Sequence, residues 1–171
     1  MIDACVTGGS ESAGCSIGTS SFGNMTALTS SGNSRPFSPE RDGFVLGEGA
    51  AMLVLEDLEH ALNRGAHIYA EILGFATSND AYHPIAPLPD GTGGARAMHE
   101  ALRDAGVDPA EVDHINAHAA STPAGDLAES NAIRLVYGDR AKQIPVTSVK
   151  GALGHCMGAS GALEMIAAVR S

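Results

Sequence analysis

Apolar positions along the chain fall into two rhythms. Short apolar runs at 4–6, 50–55, 68–75, 112–117 and 144–149 predict strands. The first runs on into a glycine turn at Gly8 and Gly9, and the run at 50–55 has no polar break, as in a strand buried on both faces. Helical spacing takes over between them. At 57–64, Leu58, Ala61 and Leu62 share one side, Asp57 stands at the start and Gly65 is the stop. At 94–105, Ala95, Met98, Leu102 and Ala105 form one stripe before Gly106. Further helices are predicted at 126–137 and 159–170, the latter from Ala159, Ala162, Leu163, Ile166 and Ala167.

The polar stretches punctuate this pattern. Residues 16–33 are rich in Ser, Gly, Thr and Asn, with only Ile17, Phe22, Met25 and Leu28 as anchors, and predict a loop with one helical turn. Residues 34–43 read as a stiff connector, because Pro36 and Pro39 fix the backbone and Asp42-Gly43 closes a turn. Arg41 and Asp42 there read as a structural ion pair. Residues 78–94, with three prolines and three glycines, read as a long loop in which Asp80, Tyr82 and His83 either border a channel or are simply solvated. Alternation of strand and helix through the second half predicts an α/β fold with a largely parallel sheet.

Two of the strand ends carry chemistry. The strand at 144–149 runs into K-G-A-L-G-H-C-M-G-A-S-G at 150–161, which places Lys150 and His155 among Gly151, Gly154, Gly158 and Gly161. Glycines there let the backbone turn tightly and approach a ligand. The stretch N-A-H-A-A-S-T-P-A-G-D at 116–126 repeats the grammar around His118. Ligands in open α/β sheets bind beyond the carboxyl ends of strands, so two such loops predict one shared site. Asp126 and Glu129, three apart at the start of a helix, fit a capping box as well as they fit a functional role.

Composition narrows the classes. A chain of 171 residues with 44% hydrophobic content can bury one sizeable core. Twenty acidic against ten basic residues give a net charge of -10 with no basic run, which excludes a nucleic-acid binder. There is no apolar run of membrane-spanning length and no signal-peptide pattern after Met1, so a soluble cytoplasmic protein is expected. Cys5, Cys15 and Cys156 are too few for a disulfide framework and read as small buried hydrophobes. A zinc set of His118, His155 and Cys156 lacks a fourth ligand and paired-cysteine spacing, so no metal and no cofactor is expected.

Taken with R-D-G-F-V-L-G-E-G-A at 41–50, the two histidine stretches resemble, in order, three motifs of the β-ketoacyl-acyl-carrier-protein synthases, condensing enzymes of the thiolase fold. The resemblance runs along essentially the whole chain. It implies a partial thiolase-like layered fold, 1–65 being the end of the N-terminal half and 66–171 most of the C-terminal half. It also implies an interior piece of a longer synthase, lacking the loop of the nucleophilic cysteine and inactive alone. T-G-G-S-E at 7–11 resembles the strand end that follows that nucleophile, so Cys5 is not assigned the role.

The implied reaction is the decarboxylative Claisen condensation of fatty acid or polyketide synthesis. In it His118 and His155 stabilise the thioester oxyanion and enolate, and Lys150, held by Glu164, biases the histidines toward neutrality. Thr122, Ala120 and Ser121 would line the path of the pantetheine arm, with Asp126, Glu129, Gly154 and Gly158 supporting the site. The family usually has Gly-Thr where this chain has Ala119-Ala120, which removes a hydroxyl and sets a methyl against any left-handed backbone at 119. An acyl carrier protein is the implied partner, with Arg134, Arg140 and Lys142 as the one close basic group, and a homodimer is implied for the parent. Two alternatives stay open: a non-catalytic partner subunit of the chain-length-factor type, and an inert scaffold piece.

Overall fold

The computed structural model describes residues 2–171. Strands β1 (Ala4–Glu11) and β2 (Gly49–Glu56) pair antiparallel, Ala4 opposite Glu56 through Glu11 opposite Gly49. Successive side chains of a strand point to opposite faces. Cys5, Leu53, Leu55 and Ala51 therefore share the face on which helix α6 (Ser160–Arg170) packs, while Val6, Met52 and Val54 share the other and are exposed. The apolar run at 50–55 is thus covered on one face only, which corrects the expectation of burial on both.

Helix α1 (Ser16–Asn24) occupies the first half of a segment expected to hold a single turn, and none of its residues is buried. Helix α2 (Leu58–Asn63) follows β2, with Asp57 accepting from the backbone N–H of His60 as its cap. Gly65, at φ 67°, ends it, as expected. Residues 68–75 form no strand. Among the described residues they have no ladder partner, and the stretch is held from below instead: Phe75 N–H donates to Asp104, and Gly74 lies so close to the backbone of Ala101 that any side chain would overlap it. Tyr69, Ile72, Leu73 and Phe75 stay exposed.

The second half is built on helices α3 (Thr92–Ala105) and α4 (Pro123–Tyr137). Their contact is made of small residues: Ala95, Ala132 and Val136 form its centre, with Met98, Leu102 and Tyr137 against it. A side chain on Gly91, which sits at φ 76°, would strike the backbone of Ala128 and Ala132. Strands β3 (Ile115–Asn116) and β4 (Val146–Thr147) lie parallel beside each other and are shorter than the apolar runs that announced them. The β4 segment gives way early, because Val149 is already helical and caps the one-turn helix α5 (Lys150–Leu153). The parallel ladder of the second half is thus two residue pairs long, and the longer sheet is antiparallel.

Candidate active site

His118 follows β3 and His155 follows α5, so the parallel pairing of β3 with β4 sets the two loops side by side. The imidazoles meet edge to face with centroids 5.2 Å apart. A third segment ties them together. Gly43 N–H donates to Ser121 O in one loop (2.9 Å), while His155 N–H donates to Val45 O (2.8 Å) and Gly47 N–H to His155 O (3.0 Å) in the other. Phe44, between these anchors and 5% exposed, stands edge-on to His155 at 5.0 Å. Gly47 and Gly154 have no room for a side chain: a methyl on Gly47 would meet Leu153 O and the Cys156 sulfur, and one on Gly154 would meet Val45 O. The segment at 43–47 is a strap across both histidine loops.

The His118 loop is held from α4. Glu129 accepts from the backbone N–H of His118 (2.8 Å) and of Ala119 (2.7 Å). Asp126, 1% exposed, accepts from Ser121 N–H (2.9 Å) and Phe37 N–H (2.7 Å), and the Arg41 guanidinium lies 3.9 Å from it. Thr122 is the cap of α4, its hydroxyl oxygen accepting from Gly125 N–H at 3.2 Å. Asp126 and Glu129 therefore do not form a capping box: they grip the loop N-terminal to the helix. Arg41 and Asp42 do not pair with each other either. Arg41 donates to the carbonyls of Ser38, Thr122 and Pro123, and Asp42 accepts from Thr29, Ser30 and Ser31, bonds that hold its carboxyl far below the usual range.

This grip explains a backbone that the side chains alone disfavour. Ala119 sits at φ 25° and Ser121 at φ 72°, both left-handed for residues that carry a Cβ. The methyl of Ala119 does not prevent the conformation, because the carboxylates of Glu129 and Asp126 fix the N–H groups on either side of it. Ser121 is fully buried, its hydroxyl accepting from Arg35 N–H at 2.8 Å, and Ala120 is buried too. These two brace the loop instead of lining a substrate path; Thr122 alone of the three expected contacts keeps some exposure.

Lys150 reaches across from α5. It is 1% exposed, donates to the carbonyl of His118 at 2.7 Å, and forms an ion pair with Glu164 of α6. The Ser148 hydroxyl points its one proton between the carbonyls of Ala119 (3.2 Å) and His118 (3.4 Å). Gly158 lies against β1, where a side chain on Gly9 would overlap its carbonyl oxygen.

Both imidazoles are biased toward the neutral form. Burial first, then His118 and Lys150, push the His155 pKa down to about 4. His118 is exposed at the surface, yet crowding around its ring, followed by the Lys150 charge, lowers its pKa as well. The Nδ1 atom of His155 accepts from Met157 N–H at 3.1 Å, with Ser160 Oγ at 3.0 Å, so the ring proton belongs on Nε2. Two neutral N–H donors side by side suit a developing oxyanion.

The remaining expectations sort as follows. Among the described residues no cysteine is hydrogen-bonded to either imidazole: Cys5 lies in the β1 ladder, Cys15 is exposed, and burial raises the Cys156 thiol pKa. No cluster of three or more His, Cys, Asp or Glu suited to a metal is present among them. Asp80 accepts from Leu88 N–H and His83 from Ile85 and Ala86 N–H, so both organise their own loop. Arg140 donates to the carbonyls of Pro109 and Val112, which withdraws it from the expected basic group with Arg134 and Lys142. Phe44, Ser148 and Ser160 had no place among the expected site residues.

Comparison with known proteins places the chain in a family. Residues 69–171 match the family described as "Beta-ketoacyl synthase, C-terminal domain" and residues 1–61 its N-terminal domain counterpart, so the chain belongs to the β-ketoacyl synthase family. Among its relatives, a "3-oxoacyl-[acyl-carrier-protein] synthase 2" of Staphylococcus aureus is 48% identical over 168 residues, covering 96% of this chain and 42% of that protein. One of the same name from Vibrio cholerae is 49% identical over 175 residues, covering 99% and 42%. The chain thus spans less than half the length of these relatives.

A solved structure described as a type II PKS acyl-carrier protein in complex with its ketosynthase superposes with a TM-score of 0.95 at 43% identity, over 98% of this chain and 43% of that one. A β-ketoacyl synthase from Burkholderia phymatum gives 0.91 at 40% identity, over 98% and 41%. The mixed α/β architecture is therefore part of a thiolase-like layered fold.

Proposed function

We propose that this chain is the enolate-stabilising part of a β-ketoacyl-acyl-carrier-protein synthase, which condenses a malonyl thioester with an enzyme-bound acyl group. The observation that carries this is the pair of neutral imidazoles, His118 and His155, held 5.2 Å apart by three separate segments. Loss of carbon dioxide from a malonyl thioester leaves its electron pair in the C–C–O system, and the enolate oxygen needs donors already in place. The two imidazoles supply them. The enolate carbon then attacks the acyl thioester, and the thiolate leaves. Lys150 and Glu164 act behind His118, positioning its backbone and adding a positive charge that disfavours imidazolium. Thr122 remains the polar group best placed for the pantetheine arm.

The same reading divides the chain at about residue 65, supported by the separate family matches on either side. It makes an acyl carrier protein the partner and a homodimer the working form. A cytoplasmic setting fits, since no described helix is long and apolar enough to cross a membrane. Retention of both histidines with Lys150 favours the catalytic type over a chain-length-factor subunit. The test is product formation by the intact synthase that carries this segment, given acyl- and malonyl-carrier. Wild type should form the 3-oxoacyl product and the His118→Ala/His155→Ala double variant none; product from the double variant would refute the proposal.

A further inference from the structure

We propose that Ser160 is a positioning residue for His155, its hydroxyl donating to Nδ1 and fixing the plane and tautomer in which the ring presents its Nε2 proton. The inference rests on the role given to His155 above. Ser160 is the first residue of α6 and 7% exposed, yet its side chain does not cap the helix. Its hydroxyl lies 3.0 Å from Nδ1 of His155, which is its one hydrogen-bond partner among the described residues. Direction follows from the neighbour. Met157 N–H, 3.1 Å from the same nitrogen, can only donate, so Nδ1 holds a lone pair and the serine is left the donor role.

The geometry shows how the loop aims both donors at one atom. Cys156, at φ -86° and ψ 30°, turns the Met157 N–H back toward the ring two residues before it, and Met157 itself takes a left-handed φ of 39°. The ring packs edge-on against both Phe44 and His118. Those contacts limit where the ring lies, while two donors on Nδ1 determine which nitrogen is bare. Without the hydroxyl, a single hydrogen bond from a strained backbone would have to do this alone. Ser160 touches no reacting atom and acts through His155.

The test uses the intact synthase labelled with 15N-histidine, wild type against Ser160→Ala and Ser160→Thr. Alanine suits a helix, so folding should survive. In wild type at neutral pH the Nδ1 resonance of His155 should lie upfield of a free pyridine-type nitrogen, and in Ser160→Ala it should move downfield as one donor is lost. Malonyl-carrier decarboxylation should lose roughly two- to tenfold in kcat with KM unchanged, the worth of one neutral hydrogen bond. Ser160→Thr should restore both. An unmoved Nδ1 resonance in Ser160→Ala overturns the proposal, and a moved resonance with unchanged kcat overturns its catalytic half. A His155→Ala arm separates the two readings: if it is inactive while Ser160→Ala equals wild type, only the role of Ser160 fails.

Discussion

Ala119 is the residue where local preference and tertiary demand conflict most openly. Its φ of 25° with a Cβ attached costs on the order of 1–2 kcal/mol, and the carboxylates that grip this loop offset that cost. Ala119→Gly should therefore raise stability by about 1 kcal/mol, read as a higher denaturant midpoint at unchanged slope. An equal or lower midpoint would mean that the loop is not strained. His155 carries the second prediction at this scale. An unfolded histidine takes up its proton near pH 6.5, whereas the folded one waits until about 4. Between those values the unfolded chain binds more protons, so stability present above pH 6.5 should be lost as pH falls through 4. For the same reason kcat/KM for decarboxylation should stay level from about pH 7.5 to about 5.5 in the intact enzyme. A fall centred near 6.5 would show a normally titrating histidine.

At the scale of elements, the site is a junction of α4, α5, α6 and the strap at 43–47. The Lys150 and Glu164 pair joins α5 to α6 and satisfies the His118 carbonyl. Lys150→Met should cost about 3 kcal/mol, at the lower end for breaking a buried pair because Glu164 keeps 18% exposure, and Lys150→Met/Glu164→Gln should recover part of it. Chemical denaturation measures both. A double variant no more stable than the single one would show that the two side chains are not coupled.

The elements also show what was legible before the structure. Lys150 and His155 stood out because reactive side chains among glycines at a strand end leave a local signature, His118 because it stands at a second strand end of similar pattern, and Glu164 only through the family resemblance. Phe44, Ser148 and Ser160 left none, since a phenylalanine or serine acquires its role only from contacts 29 or more residues away or across a turn. Asp126 and Glu129 matched a capping pattern by spacing, while their real partners lie outside the helix, at Phe37 and 118–121. Residues 68–75 have the composition of a strand, but a strand exists only where another backbone pairs with it.

For the whole molecule, the salient feature is apolar surface on open display. Val6, Met52 and Val54 form one exposed face of the β1–β2 ribbon, and Tyr69, Ile72, Leu73 and Phe75 another stretch. Apolar surface of this kind is what protein interfaces, ligand grooves and aggregation-prone faces are made of, and the chain spans 42% of the length of its relatives. The 171-residue chain on its own should bind an apolar dye such as ANS and self-associate in a concentration-dependent way. A dye-silent monomer by sedimentation would contradict this reading.

The central claim is that His118 and His155 together hold the enolate, and the most direct measurement separates that step from acyl loading. In the intact synthase, decarboxylation of malonyl-carrier and acyl transfer from acyl-carrier to the enzyme are followed separately for wild type, His118→Ala and His155→Ala. The account predicts that each substitution abolishes decarboxylation while acyl loading survives. Decarboxylation at the wild-type rate in either variant would contradict it and leave the imidazoles a packing role.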